Sequence, residues 1–245
     1  CLYAVLTNLD GEKYHILPLG ITQTGRWYLY SGAYEHIATD TWAEALDHLT
    51  PVAVSPDPAV HGLLALFPHE NRVIPLDCAL PILHGANGED GTVQGLFQLA
   101  GIPVAGCGTL ASALCMDKDR AHKLAKLAGV AVPRSLVLQA WEDPQRAADF
   151  AQQTGYPLFV KPVNAGSSYG ISQIHRPEEL RPALDLALEY DTQVILEEAI
   201  PGFEVGCAVM GTQELVVGEI DEIELSQGFF NFTEKYTLKT SAIHV

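Results

Sequence analysis

Phe159-Val160-Lys161-Pro162-Val163-Asn164-Ala165-Gly166-Ser167-Ser168-Tyr169-Gly170 is the stretch on which the reading of the chain turns. It begins as a short apolar strand, places a lysine at the strand end and continues as a loop of small residues. Gly166 and Gly170 allow backbone angles that side chains forbid. Ser167 and Ser168 add hydroxyls beside their own backbone N–H groups, and successive N–H groups in such a loop form a nest for an anion. Lys161 adds a compact cation at the same place. A phosphate is the guest that suits this chemistry. The lysine precedes the glycines, so the stretch is not a P-loop. Alone, it also reads as an ordinary β-hairpin with a glycine turn.

Composition narrows the partners. The chain has 245 residues, 48% of them hydrophobic and 18% charged, which is globular and long enough for two or three small domains. Thirty acidic against 14 basic residues give a net charge of −16. That argues against nucleic acid or an anionic membrane surface as a partner. An anionic ligand must then be held by local groups, which raises the interest of each lysine near a glycine loop. Five cysteines without a C-x-x-C pair read as buried thiols in a reducing cytosol, with Cys207 in the core. Residues 91–116 carry no charge, but Gln94, Gln98, Pro103 and several glycines interrupt them, so they read as buried helix–turn–strand and not as a membrane span. No signal peptide is evident. The first residues read as the tail of a helix and the last as the middle of a strand, so segments are expected to be missing from both ends.

Strands and helices alternate along the chain, which predicts an α/β domain with a parallel sheet. Strands are expected at 14–21, 27–30, 52–54, 63–66 and 72–75, and a short helix at 41–49. Cys78 to Leu83 reads as a strand buried on both faces. It delivers His84-Gly85-Ala86-Asn87-Gly88-Glu89-Asp90-Gly91 at its carboxyl end, where open α/β sheets bind ligands. His84 is a site candidate or a surface loop histidine. Glu89 and Asp90 read best as charges favoured by a helix N-terminus. Asp117 caps an amphipathic helix over 118–128. Lys118 in its first turn opposes the helix dipole, which suggests a purpose beyond helix stability; a solvated lysine is the alternative. Further strands follow at 135–138, 194–196 and 204–209, with an aromatic-rich loop at 228–236.

Four blocks in order carry a resemblance that covers essentially the whole chain: H-G-x-x-G-E-D-G at 84–91, C-M-D-K at 115–118, V-K-P-x-x-x-G-S-S-x-G at 160–170 and E-K-Y at 234–236. The chain resembles the D-alanine–D-alanine ligase family, and within it looks most like the vancomycin-resistance ligases that make D-alanyl-D-serine. The resemblance implies an ATP-grasp fold preceded by a Rossmann-like N-terminal domain. It divides the chain into a substrate-binding domain at 1–106, a central ATP-grasp subdomain at 107–197 and the start of the catalytic subdomain at 198–245.

Roles follow from the resemblance, position by position. Lys118 and Lys161 match the two lysines that hold the ATP phosphates. Glu197 matches the carboxylate that reads the adenine amino group, with Glu198, Ala199 and Ile200 lining the adenine slot. Glu204 matches the ribose-hydroxyl acceptor. Phe229 matches an aromatic on the adenine; Phe159 and Gly166 belong to the same nucleotide site. Lys235 and Tyr236 lie on a loop that closes over the phosphates, Ser167 hydrogen-bonds that tyrosine on closure, and Ser168 helps hold the γ-phosphate. His84 matches the histidine near the first D-alanine. Ligases favouring D-lactate replace the Lys-Tyr pair with a histidine-bearing sequence, so this chain resembles the peptide-forming members.

The implied cofactors are ATP and magnesium, or manganese in its place. The implied substrates are D-alanine and D-serine, in a cytoplasmic homodimer. A housekeeping D-alanine–D-alanine ligase is the alternative. The glutamate for the D-alanine ammonium is expected before Cys1, and the metal ligands and an arginine after Val245. Were the natural chain to end at Val245, a non-catalytic nucleotide-binding remnant would be the reading.

Overall fold

The computed structural model describes residues 1–67, 70–224 and 242–244. It divides into two compact units, one of Cys1–Leu83 with Asn87–Ala113 and one of His84–Ala86 with Leu114–Val245. No helix among the described residues is long and apolar enough to cross a membrane.

In the first unit, α1 (Leu2–Asn8) precedes β1 (Leu19–Ile21) and β2 (Trp27–Tyr30). Then come α2 (Glu35–Ala38), two 3₁₀ turns at Trp42–Glu44 and Leu46–His48, β3 (Leu49–Val54), β4 (Gly62–Leu66) and β5 (Asn71–Pro75). The five strands pair in sequence order, each antiparallel to the next. The expected parallel sheet is therefore corrected. Connections such as 22–26 and 55–61 are too short for the crossover that a parallel pair needs. The helix expected at 41–49 is the pair of 3₁₀ turns, and the strand expected at 14–21 shrinks to its last residues.

The apolar run Cys78–Leu83 is not a strand. Ala79 makes one isolated parallel bridge to Val104, and Leu80 is half exposed. Pro81 lacks the N–H that would continue the ladder. α3 (Thr92–Leu99) instead closes this unit's core, with Val93 and Phe97 against Val52, Val54, Leu63 and Ala65. α4 (Thr109–Met116) spans the change from one unit to the other.

The second unit contains α5 (Lys118–Leu127), β6 (Ser135–Gln139), α6 (Gln145–Thr154), β7 (Leu158–Pro162), β8 (Ser172–Ile174), α7 (Leu180–Leu188) and β9 (Gln193–Glu198). Its sheet has the order β6-β9-β7-β8, antiparallel throughout. On α7, Leu180, Ala183, Leu184 and Ala187 recur at helical spacing and are buried. With Ala147 and Ala151 of α6 they cover Leu138, Leu158, Val160, Ile174, Val194 and Leu196 on one sheet face. Alternation along a strand sends the intervening side chains to the opposite face. That face carries Phe159, Lys161, Ile195 and Glu197.

β10 (Glu204–Gly211), β11 (Leu215–Glu224) and β12 (Ala242–His244) form a separate antiparallel sheet. β10 is exposed along nearly its whole length, Cys207 included. All five cysteines are exposed free thiols, which corrects the expectation of buried ones. An apolar strand is buried only where a second layer covers it, and the run alone does not reveal the layer.

Candidate functional site

Strand register builds the site. β7 and β9 place Phe159 opposite Glu197 and Lys161 opposite Ile195, so the three polar and aromatic groups share the face away from the helices. Lys161 Nζ donates to Glu197 Oε2 at 2.5 Å and lies 5.1 Å from the centre of the Phe159 ring. The Glu197 side chain is only 5% exposed. Its second oxygen, Oε1, is buried and has no hydrogen-bond partner among the described residues. His122 Nε2 on α5 lies 3.7 Å from it. His122 Nδ1 is likewise buried without a hydrogen bond. A buried carboxylate oxygen left unmatched costs about 1–3 kcal/mol, so this acceptor is open to a further donor.

α5 brings the second lysine. Asp117 caps the helix by accepting the Arg120 N–H at 2.8 Å, and the Arg120 guanidinium pairs with the same carboxylate. The Lys118 N–H donates to Val163 O at 3.2 Å. Its Nζ donates to Ala165 O at 2.7 Å and Val163 O at 3.3 Å. The side chain therefore serves the loop after β7, which explains a lysine placed against its own helix dipole. Burial above all, then the neighbouring Lys161, pulls the Lys118 pKa down to about 8, against the attraction of Glu197, Asp191 and Asp117.

The loop itself is strained. Ser167 and Ser168 take φ of 52° and 61°, and Gly170 takes 68°. Left-handed angles at non-glycine residues cost of order 1–3 kcal/mol each, and such strain is found where a ligand site requires it. Tyr169 N–H donates to Gly166 O at 3.2 Å and closes the turn.

The other expected residues divide. Glu198 points away from this face to Arg134, whose N–H and Nε it accepts at 2.8 and 2.9 Å. Those contacts, the backbone N–H foremost, hold its carboxyl below the usual range. Ala199 N–H donates to Pro157 O at 3.3 Å, while Ile200 and Glu204 are exposed. His84 is exposed at the head of its loop, next to a buried, left-handed Gly85. Asp90 accepts the N–H groups of Asn87 and Thr92 at 2.7 and 3.0 Å, as a helix-terminal carboxylate does. Burial raises its pKa, but those donors outweigh it and the net direction is down. Phe229, Lys235 and Tyr236 lie outside the described residues.

The chain's own groups fit a nucleotide. Lys161 offers a donor beside the open acceptor of Glu197, and adenine carries the complementary pair, an N7 acceptor next to the N6 amino donor. Lys118 and the serine loop carry N–H and O–H donors, the kind of group that a phosphate accepts from. Among the described residues, no three His, Cys, Asp or Glu side chains gather as a metal site would require.

Fold and site define an α/β protein with a lysine and a buried carboxylate on one face of an antiparallel sheet and a second lysine on a helix that reaches the adjoining loop. The family model "D-ala D-ala ligase N-terminus" matches residues 2–107, and "D-ala D-ala ligase C-terminus" matches 124–245. The chain belongs to the D-alanine–D-alanine ligase family. It is 53% identical to the VanG D-Ala:D-Ser ligase of Enterococcus faecalis in its crystal structure, with a TM-score of 0.87 over 99% of this chain and 70% of that one. A putative D-alanine–D-lactate ligase of Streptomyces coelicolor is 45% identical over 94% of this chain and 64% of its own length. A D-alanine–D-alanine ligase of Caldicellulosiruptor bescii is 41% identical over 98% of this chain and 66% of its own. The chain thus spans about two thirds of the length of these relatives.

Proposed function

We propose that the protein is an ATP-dependent ligase that joins D-alanine to a second D-amino acid, D-serine, for peptidoglycan precursors and vancomycin resistance. The observation that carries this reading is the Lys161–Glu197 pair with its open acceptor, set beside Lys118 and the serine loop. Glu197 Oε1 accepts the adenine amine. Lys161 and Lys118 neutralise phosphate charge, and the N–H groups near Ser168 hold the γ-phosphate. The backbone at Glu198, with Ala199 and Ile200, lines the adenine slot, Glu204 takes the ribose hydroxyls, and Phe159 and Phe229 flank the nucleotide. Residues 1–106 bind the amino acids, with His84 near the first D-alanine, while 107–197 and 198–245 hold the nucleotide. The working enzyme is a cytoplasmic homodimer.

A D-alanine carboxylate oxygen attacks the γ-phosphorus and ADP leaves. The amine of the second amino acid, having lost a proton, attacks the acyl phosphate, and phosphate departs with the former carboxylate oxygen. The work of the protein is positioning and charge neutralisation. Magnesium, when bound, would add positive charge at the phosphates. Closure of a loop carrying Lys235 and Tyr236 against Ser167 keeps water from the acyl phosphate.

The likeness to a D-Ala:D-Ser ligase supports D-serine. The likeness to a D-alanine–D-alanine ligase over nearly the whole chain supports a second reading, in which the second substrate is D-alanine. Competition decides. Full-length protein, ATP and D-alanine are given D-serine, D-alanine and D-lactate at equal concentrations of the acceptors, and the products are separated. D-alanyl-D-serine should predominate. Predominant D-alanyl-D-alanine moves the protein to the second reading, and no ATP-dependent product at all rejects both.

A further inference from the structure

One short turn holds both ends of the serine loop. Asp191 Oδ2 accepts the Asn164 N–H at 2.7 Å and Asn164 Nδ2 at 3.2 Å, where the chain leaves β7. The neighbouring Tyr190 stacks on Tyr169 at the far end of the loop, with ring centres 6.0 Å apart and 29° between the planes. A Cβ on Gly170 would lie 2.7 Å from Tyr190 Cδ2, so the glycine lets the loop close against that ring. The same segment is tied to the sheet, since Val163 N–H donates to Gln193 O at 3.0 Å. Two consecutive residues after α7 thus grip the loop at its start and its end, and the strained serines lie between the two grips.

We propose that Tyr190 and Asp191 are positioning residues, which hold the 164–170 loop in the shape that receives the nucleotide phosphates. This rests on the nucleotide reading given above. The two side chains act on the loop and not on the nucleotide. Holding it in its binding shape before the ligand arrives lowers the ordering cost of binding. The role of Asp191 is that of an acceptor, because its partner is a backbone N–H, which an amide oxygen can also serve. A role through charge would instead act on Lys118, which Asp191 attracts.

The test measures ATP and adenosine affinity by calorimetry on full-length protein, with thermal melts to confirm folding. Asp191→Ala and Tyr190→Ala should weaken ATP about tenfold or more and leave adenosine unchanged, because adenosine has no phosphate for the loop. Asp191→Asn and Tyr190→Phe should bind ATP like wild type. Tyr190 is 48% exposed, so its alanine variant keeps the test alive should Asp191→Ala not fold. Unchanged ATP affinity in the folded alanine variants overturns the proposal, as does a parallel loss of adenosine, which marks general damage. A folded Asp191→Asn that fails like Asp191→Ala overturns the acceptor role. Wild-type protein that binds adenosine and ATP equally, or neither, fails at the earlier step and rejects the nucleotide reading itself.

Discussion

Lys161 donates to Glu197 across 2.5 Å on a sheet face where the carboxylate is 5% exposed. The resemblance assigns the lysine to phosphate and the glutamate to adenine, as separate tasks. The geometry joins them: each neutralises the other, and the pair leaves one carboxylate oxygen open. Removing one member of such a pair strands a buried charge.

Lys161→Ala therefore carries two losses. It should abolish ATP binding and also destabilise the fold by about 3 kcal/mol, because Glu197 is left uncompensated. Lys161→Ala with Glu197→Gln should regain most of that stability but not the affinity. Melting and calorimetry on the two variants separate the effects. A single variant as stable as wild type contradicts the pairing.

Glu197→Gln alone bears on the base. An acceptor beside a lysine suits the adenine amine and rejects the guanine O6, so wild type should prefer ATP to GTP. The Lys161 ammonium only donates, so a glutamine turns its oxygen to Lys161 and its NH₂ to the base, and the preference should shrink by about 1–3 kcal/mol, or roughly 5- to 150-fold. Equal discrimination in both proteins would move the adenine contact elsewhere.

Binding should depend on pH through Lys118. Its pKa is pulled down to about 8 without ligand, and phosphate anions favour the charged form. Below 8 the ammonium is present. As pH rises through 8 the free protein loses it, so ATP binding weakens and each binding event takes up a proton. Calorimetry in buffers of different ionisation enthalpy reads that uptake. Lys118→Met should remove it.

Gly170→Ala should destabilise the protein by about 1–2 kcal/mol from its left-handed backbone alone. Close contacts to Tyr190 Cδ2 at 2.7 Å and Pro162 Cγ at 2.8 Å add to that. A melting temperature equal to wild type contradicts the tight closure of the loop on Tyr190.

The parts legible in the sequence are those with local chemistry. Asp117 announces a cap, and the alternation in Leu158–Pro162 announces a strand with Lys161 on the opposite face from the core. What proximity makes is silent. His122 lies on an exposed-looking helix, and Asp191 meets Asn164 only because α7 returns the chain beside β7. A lone histidine, or an Asp after a Tyr, has no spacing signature for such contacts. The Cys78–Leu83 run misled because continuous apolarity predicts burial on both faces, while Pro81 and the single bridge at Ala79 allow neither a ladder nor full cover. The expected parallel sheet is antiparallel instead because alternation of elements does not set strand direction, while short connections such as 22–26 and 55–61 do.

The most direct test of the account labels the atom that should move. Full-length protein is given ATP, D-serine and D-alanine carrying ¹⁸O in its carboxylate. If the carboxylate attacks the γ-phosphorus and the acyl phosphate is then opened by an amine, one labelled oxygen per turnover leaves in inorganic phosphate, and the dipeptide keeps the other. Mass spectrometry of the phosphate should show that transfer in step with D-alanyl-D-serine. Dipeptide formed with unlabelled phosphate would contradict it.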